Sequence, residues 1–227
     1  RWKEVDARIE SSNPHPSWRL REPFLHSRGN VLELNVIHHC MERLGDGNAV
    51  YVSGAGGGNV VRWNLIRDIE SPSINAIIRC DDDQHDTLIE GNLIARCCGE
   101  GFIFKGTNTI RGNIVYGLRS VTPRGVACAH RRGYWVLPYT DGTGSVIERN
   151  IFYAMDADIP LLYEGSNATP HGRVARLRDC RCDFNLYHHA TNPQWASGHL
   201  EIQQDFGIER RSLAADEIAR RLGPELP

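Results

Sequence analysis

The acidic residues that could carry out catalysis lie around two predicted strands. Asp46 stands shortly before the strand 49–52, and Asp81 and Asp82 directly follow the next equivalent strand. Strands stacked in one sheet lie about 4.8 Å apart, so we expect Asp46 and Asp81 or Asp82 to approach within about 5–10 Å. Two carboxylates at such a separation can cleave a glycosidic bond. One protonates the leaving oxygen, and the other attacks the sugar carbon or activates water.

The acidic run 80–86 has two further interpretations. It can be a turn that is solvated or held by hydrogen bonds of its own aspartate side chains. It can also bind Ca²⁺, because hard oxygen ligands cluster in this way, and Asp81 and Asp83 are then the ligands. No other cofactor is expected.

Basic and aromatic residues further along the chain suggest contacts with a sugar polymer. Lys105 and the run 130–132 could abstract a proton beside a uronate carboxylate and hold that carboxylate. Tyr134 and Trp135 could stack on the C–H faces of sugar rings. The predicted substrate-binding residues are Lys105, His130, Arg131, Tyr134, Trp135 and Glu164.

These candidate residues are embedded in a repeat. Six asparagines recur in the same local pattern, and they are Asn35, Asn64, Asn92, Asn113, Asn150 and Asn185. An apolar residue or a cysteine lies three positions before each asparagine and again two and five positions after it, and the residue at the fifth position is once an alanine. The intervals of 29, 28, 21, 37 and 35 residues indicate a solenoid, a propeller or an array. One asparagine per repeat and loops of unequal length favour a parallel β-helix, in which stacked amides hydrogen-bond to one another at a bend.

The sequence therefore predicts an all-β fold, a single-stranded right-handed parallel β-helix of about six coils over residues 29–211. A second strand is expected in five of the coils, at 49–52, 76–79, 101–104, 125–128 and 160–163. Residues 1–28 are expected to form an N-terminal edge segment. Residues 212–227 are expected to form a short helix, ended by Gly223 and Pro224, and a tail.

Composition excludes several classes of protein. The 227 residues are 41% hydrophobic and 24% charged, which is typical of one globular domain. A net charge of −2 provides no basic field for general nucleic-acid binding, and no apolar stretch is long enough to span a membrane. Seven cysteines cannot all pair within the chain. The absence of an initiator methionine suggests part of a longer protein.

The region 40–116 resembles right-handed β-helix glycoside hydrolases of the α-L-fucosidase/xylanase type, in the pectate-lyase-like superfamily. Asp46 lies five positions before the tyrosine of a Gly-Ala-Ile-Tyr-like strand, and Asp82 lies ten positions before the next ladder asparagine, as in the family pattern. Arg79 stands where that pattern has an apolar residue. The resemblance implies that Asp46 and one of Asp81 and Asp82 are the catalytic carboxylates.

These observations predict a carbohydrate-active enzyme that cleaves glycosidic bonds of a polysaccharide or oligosaccharide with paired aspartates. One alternative is a polysaccharide lyase that uses Lys105 with Arg131 or Arg132 on a uronate-rich polymer. Another is a non-catalytic carbohydrate-binding or structural β-helix. The substrate class favours an extracellular or periplasmic location, and nucleic acid and membrane are not expected as partners.

Overall fold

A computed structural model describes residues 18–81, 84–129, 133–137, 142–156, 158–166, 179–192, 198–204 and 207–213. Within these ranges almost all of the regular secondary structure is β-strand. It has one short helix, α1 (Trp18–Arg21), followed by a 3₁₀ turn (Glu22–Phe24). Nineteen strands form three sheets, and all neighbouring strands are parallel except the last pair. The prediction of an all-β fold with parallel sheets is confirmed.

The chain visits the three sheets in rotation, so that each sheet takes every third strand. Sheet A contains β1 (Val31–Glu33), β4 (Asn59–Arg62), β7 (Thr87–Glu90), β10 (Thr109–Arg111), β13 (Val146–Glu148) and β16 (Arg181–Asp183). Sheet B contains β2 (Val36–His38), β5 (Leu65–Arg67), β8 (Leu93–Ala95), β11 (Ile114–Tyr116), β14 (Ile151–Ala154) and β17 (Leu186–His189). Sheet C contains β3 (Asn48–Ser53), β6 (Ala76–Asp81), β9 (Glu100–Phe104), β12 (Trp135–Leu137), β15 (Leu162–Ser166), β18 (Gly198–Gln204) and the antiparallel β19 (Gly207–Leu213).

The asparagine ladder lies at the bend between sheet A and sheet B. The residue before each ladder asparagine has a φ of 53° to 62°, a left-handed conformation that turns the chain sharply. Each side-chain amide donates to the Oδ1 of the next asparagine at 2.9–3.0 Å, from Asn35 through to Asn185. The backbone N–H groups donate to the same oxygens. The predicted ladder is therefore confirmed.

A second column of polar residues lies five positions before the ladder asparagines, at or just before the sheet A strands. Asn30 Nδ2 donates to Asn59 Oδ1 at 2.8 Å, and the Thr87 N–H donates to Asn108 Oδ1 at 3.0 Å. The Asn108 N–H in turn donates to Ser145 Oγ at 3.1 Å. This column was not predicted from the sequence, because its members differ in residue type.

The core is formed by alternate residues of all three sheets. Ile89 of sheet A, Ile94 of sheet B and Ile78 of sheet C belong to one buried cluster. Aromatic rings fill its later part, where Trp135 stacks on Phe152 with ring centroids 5.9 Å apart. The residues between these positions in each strand face outward, so each sheet presents an outer face.

The predicted strand 125–128 is wrong. Gly125 has a φ of 79°, and its N–H donates to the Thr122 carbonyl, which makes a turn where a strand was expected. Cys128 beyond this turn forms a disulfide with Cys98. The fourth strand of sheet C is instead β12, which begins at Trp135.

The predicted C-terminal helix is only partly described. Ser212 and Leu213 end β19 as extended backbone, and residues 214–227 lie outside the described residues. Residues 198–204 and 207–213 form the antiparallel strands β18 and β19 at one end of sheet C.

Candidate functional site

The outer face of sheet C brings four polar residues together. Tyr51 of β3 lies in register with Arg79 of β6, and Ser53 lies in register with Asp81. Lys105 follows β9, and its N–H donates to the Cys80 carbonyl at 2.9 Å, which places it level with Asp81. We call Tyr51, Arg79, Asp81 and Lys105 the Asp81 cluster.

Asp81 is the centre of this cluster. The Tyr51 hydroxyl donates to Asp81 Oδ2 at 2.8 Å, and Arg79 Nη2 lies 2.8 Å from the same oxygen. Lys105 Nζ contacts Asp81 Oδ1. The Arg79 guanidinium lies 5.9 Å from the centroid of the Tyr51 ring, within cation–π range. The carboxylate is thus held by two cations and one hydroxyl.

These contacts fix the charge of Asp81. Burial alone would raise the pKa of Asp81, but the hydrogen bonds from Lys105 and Tyr51 and the charges of Lys105 and Arg79 outweigh burial and lower the pKa to about 2. Asp81 is therefore ionised at every physiological pH. It can act as a nucleophile or stabilise positive charge, and it cannot act as a general acid.

The cluster is accessible from one side. The Tyr51 ring is 53% exposed, whereas Asp81, Arg79 and Lys105 are largely covered. An exposed aromatic ring beside charged groups is a surface on which a sugar ring can stack while its polar substituents reach the charges. Among the four side chains of the cluster, Arg79 and Lys105 provide two positive charges against one carboxylate, and both can also hydrogen-bond to an acidic substituent.

Asp46 does not lie beside Asp81, so the expectation that these two carboxylates form a close pair is wrong. Asp46 precedes Asn48, which is in register with the first residue of β6, whereas Asp81 is the last residue of β6. Five residues of extended strand separate these register positions, which is about 17 Å. Asp46 has a φ of 52°, and its Oδ1 accepts a hydrogen bond of 2.5 Å from Asn75 Nδ2. In the structure Asp46 is a turn residue.

The expectation that Tyr134 and Trp135 stack on sugar rings is also wrong, because both side chains are fully buried. Trp135 belongs to the core and stacks on Phe152. The Tyr134 hydroxyl donates to the Tyr153 carbonyl and accepts from the Leu118 N–H, both at 3.3 Å. Neither ring can stack on a sugar from solvent. The alternation of the strand turns Trp135 inward, and the expectation ignored this alternation.

The remaining candidates are only partly described. Asp82, Asp83, His130, Arg131 and Arg132 lie outside the described residues. The Glu164 backbone lies in β15, paired with Leu137 and Leu200, and its side chain is not described. Lys105 is thus the one predicted substrate-binding residue that the described structure places against Asp81.

The described residues contain no group of three or more His, Cys, Asp or Glu side chains that could hold a metal ion. At the expected Ca²⁺ position both oxygens of Asp81 already face cations. No helix in the described part of the chain is long and apolar enough to cross a membrane.

Tyr51 and Arg79 are the members of the Asp81 cluster that were not predicted from the sequence. The signal for Arg79 was its position, since a charged residue interrupts the otherwise apolar run of β6. Tyr51 was noted only as a landmark of its strand, although its outward position follows from the alternation of β3.

Comparisons of this chain with protein-family models, with curated proteins and with solved structures found no match.

Proposed function

We propose that the three sheets form the faces of a right-handed parallel β-helix of about six coils. Strands that recur in every third position and an asparagine ladder that runs from Asn35 to Asn185 support this proposal. A fold of this kind presents one long outer face per sheet. The outer face of sheet C is then an elongated surface that can accommodate a chain-like substrate.

On this face we propose a carbohydrate-active site that cleaves a glycosidic bond, with the Asp81 cluster at its centre. The observation that carries the proposal is an ionised, largely covered carboxylate beside the exposed Tyr51 ring. Asp81 would attack the anomeric carbon or stabilise the positive charge that develops there. Asp82, its neighbour in sequence, is the candidate acid that protonates the leaving oxygen.

The second candidate function is β-elimination on a uronate polymer, and the two basic side chains beside Asp81 favour it. Arg79 and Lys105 both lie against Asp81, in the arrangement that could receive a substrate carboxylate. In this version Arg79 takes the role first expected of Arg131 or Arg132. Lys105 would abstract the proton beside the carboxylate as a neutral amine, after its own proton has passed to solvent, and the glycosidic oxygen on the β-carbon would leave.

An extracellular or periplasmic location remains part of the proposal. The disulfide between Cys98 and Cys128 supports it, because disulfides persist in oxidising compartments.

One experiment separates these functions. The protein is incubated with neutral and uronate-containing polysaccharides, and both new reducing ends and the ultraviolet absorbance of unsaturated uronates are measured. Hydrolysis gives reducing ends alone, and elimination gives both signals. Asp81→Asn should abolish either activity. Asp68→Asn is the matched control, because Asp68 is also paired with arginines but lies after the sheet B strand β5.

No product from any polymer, or an Asp81→Asn variant as active as the wild type, would overturn the catalytic proposal. Retained binding to a polymer without any product would instead identify a non-catalytic carbohydrate-binding module.

A further inference from the structure

The outer face of sheet B carries a regular column of aliphatic side chains. The residue directly after each ladder asparagine is aliphatic in all six strands, and the following residue faces the core. Parallel pairing in register stacks these outward residues into one continuous column. Its members are Val36, Leu65, Leu93, Ile114, Ile151 and Leu186.

Four members of this column are exposed, Leu65 and Ile151 are half-buried, and the bend beside the column adds further apolar surface. Val36 is 59% exposed, and at the bend Leu34 is 73% and Phe184 is 65% exposed. Trp63, Leu93, Ile114 and Leu186 are exposed as well. Together these residues leave on the order of 700 Å² of surface open, compared with roughly 300–600 Å² for the largest apolar patch on a typical monomer. Roughly half of this area lies at the bend, where Arg62 and Arg149 lie over the rings of Trp63 and Phe184.

The outer face of sheet A shows what a solvated face of the same protein looks like. This face also has an aliphatic column, which contains Val31, Val60, Leu88 and Val146. Beside that column, however, opposite charges alternate from strand to strand between Glu33 and Glu148. Arg62 Nε lies 2.6 Å from Glu33 Oε2, and Arg111 Nε lies 2.7 Å from Glu90 Oε1. Sheet B has no such alternation beside its aliphatic column. The two faces are built from the same repeat, so the difference lies in the side chains and not in the backbone.

A second outward column on sheet B contains aromatic rings, which extend the apolar surface. Tyr116, Tyr153 and His188 lie in register on neighbouring strands. Their ring centroids are 5.3 Å and 4.8 Å apart. These packed rings flank the aliphatic column on the side away from the bend, and they widen the flat surface.

We propose that the outer face of sheet B is a dimerisation surface, which packs against sheet B of a second copy of this chain. Six strands at about 4.8 Å spacing make a flat face roughly 24 Å long, and two such faces pack about 10 Å apart as in a β-sandwich. A regular column matches its own copy under a two-fold axis, so the face is self-complementary.

The area supports this choice of partner. The open apolar surface approaches the roughly 800 Å² per partner of a stable protein–protein interface. The dimer is independent of the proposed catalytic function, because the Asp81 cluster lies on a different sheet and stays open.

The test is sedimentation equilibrium of the purified chain from about 1 µM to about 100 µM, a range that covers dissociation constants of moderately stable dimers. The wild type should be a dimer within this range. Leu93→Lys places a charge in the centre of the interface and should raise the dimer dissociation constant on the order of 100-fold or more.

Leu88→Lys is the matched control, because Leu88 is an outward, half-buried leucine of β7 on sheet A. This variant should stay dimeric. Val36→Lys, at the exposed terminal strand, serves as a second interface variant that disturbs folding least, and circular dichroism verifies the fold of each protein. A wild type that is monomeric throughout the range, or folded Leu93→Lys and Val36→Lys variants that dimerise like the wild type, would overturn the proposal.

Discussion

The strongest quantitative prediction concerns the contribution of Asp81 to stability and its dependence on pH. The pKa of Asp81 lies at about 2, compared with 3.8 for the ordinary carboxyl group. A group with a lowered pKa stabilises the folded state fully above its unfolded pKa, and this stabilisation is lost as the pH falls towards the folded pKa. The difference corresponds to about 2.5 kcal/mol at neutral pH.

The perturbation is Asp81→Asn, and the assay is urea unfolding of variant and wild type at a series of pH values from 7 to 2. At pH 7 the variant should be less stable by about 2.5 kcal/mol, because Arg79 and Lys105 lose their carboxylate partner. The difference between the two proteins should shrink below pH 4 and be nearly absent near pH 2. Taking the difference in unfolding free energy between variant and wild type cancels the contributions of the other carboxylates, because these groups titrate in both proteins.

Asp68→Asn is the control for an ion pair at the surface. The hydrogen bonds from Arg96 and Arg67 also lower the pKa of Asp68 to about 2. The Arg96 side chain is nearly half exposed, so solvent screens the pair, and we expect a loss of no more than about 1 kcal/mol.

A destabilisation by Asp81→Asn that persists unchanged down to pH 2 would show that it comes from packing and not from charge. No destabilisation at pH 7 would refute the described ion pairs.

Two further predictions concern the scaffold. Asn113→Ala should lower the free energy of unfolding by about 3 kcal/mol or more in urea titrations, because it removes the oxygen that accepts from the buried Asn92 backbone N–H and side-chain amide, and the amide that donates to the Ile89 carbonyl; an unchanged stability would contradict a structural ladder. Replacing both Cys98 and Cys128 by serine should cost about 3–4 kcal/mol, since their separation of 30 residues sets the loop entropy that the disulfide removes. Mass spectrometry of the unreduced wild type should detect the disulfide between Cys98 and Cys128, and its absence would contradict this prediction.

The repeat was predictable because the hydrogen bonds and the bend that define it involve a few neighbouring residues and recur in every repeat. A buried amide must be hydrogen-bonded, and one asparagine per repeat at a left-handed bend meets this need in the same way each time. The period of the pattern therefore fixes which residues stack, from Asn35 to Asn185, without knowledge of the loops. The strand 125–128 failed for the opposite reason. A loop between repeats has no period, and a glycine turn at Gly125 and a disulfide at Cys128 decide its path.

The candidate site was only partly predictable, because a catalytic group needs a position in space and not only a position in the repeat. Lys105 and Asp81 follow equivalent strands at the same register, and the structure brings them together. Tyr134 and Trp135 follow a basic run in sequence, yet both side chains are buried in the core. Composition alone cannot distinguish an inward from an outward position within a strand.

The separation of Asp46 from Asp81 follows from the direction of parallel strands. All strands of sheet C from β3 to β18 run the same way, so residues before a strand gather at one edge and residues after it gather at the other. A site on such a face must draw its side chains from the same or the next outward register position of successive strands, as the pair Tyr51 and Arg79 and the pair Asp81 and Lys105 do. A partner acid for Asp81 must therefore come from the carboxyl-end edge of sheet C, where Asp82 follows β6, and an acid that precedes β3 cannot serve.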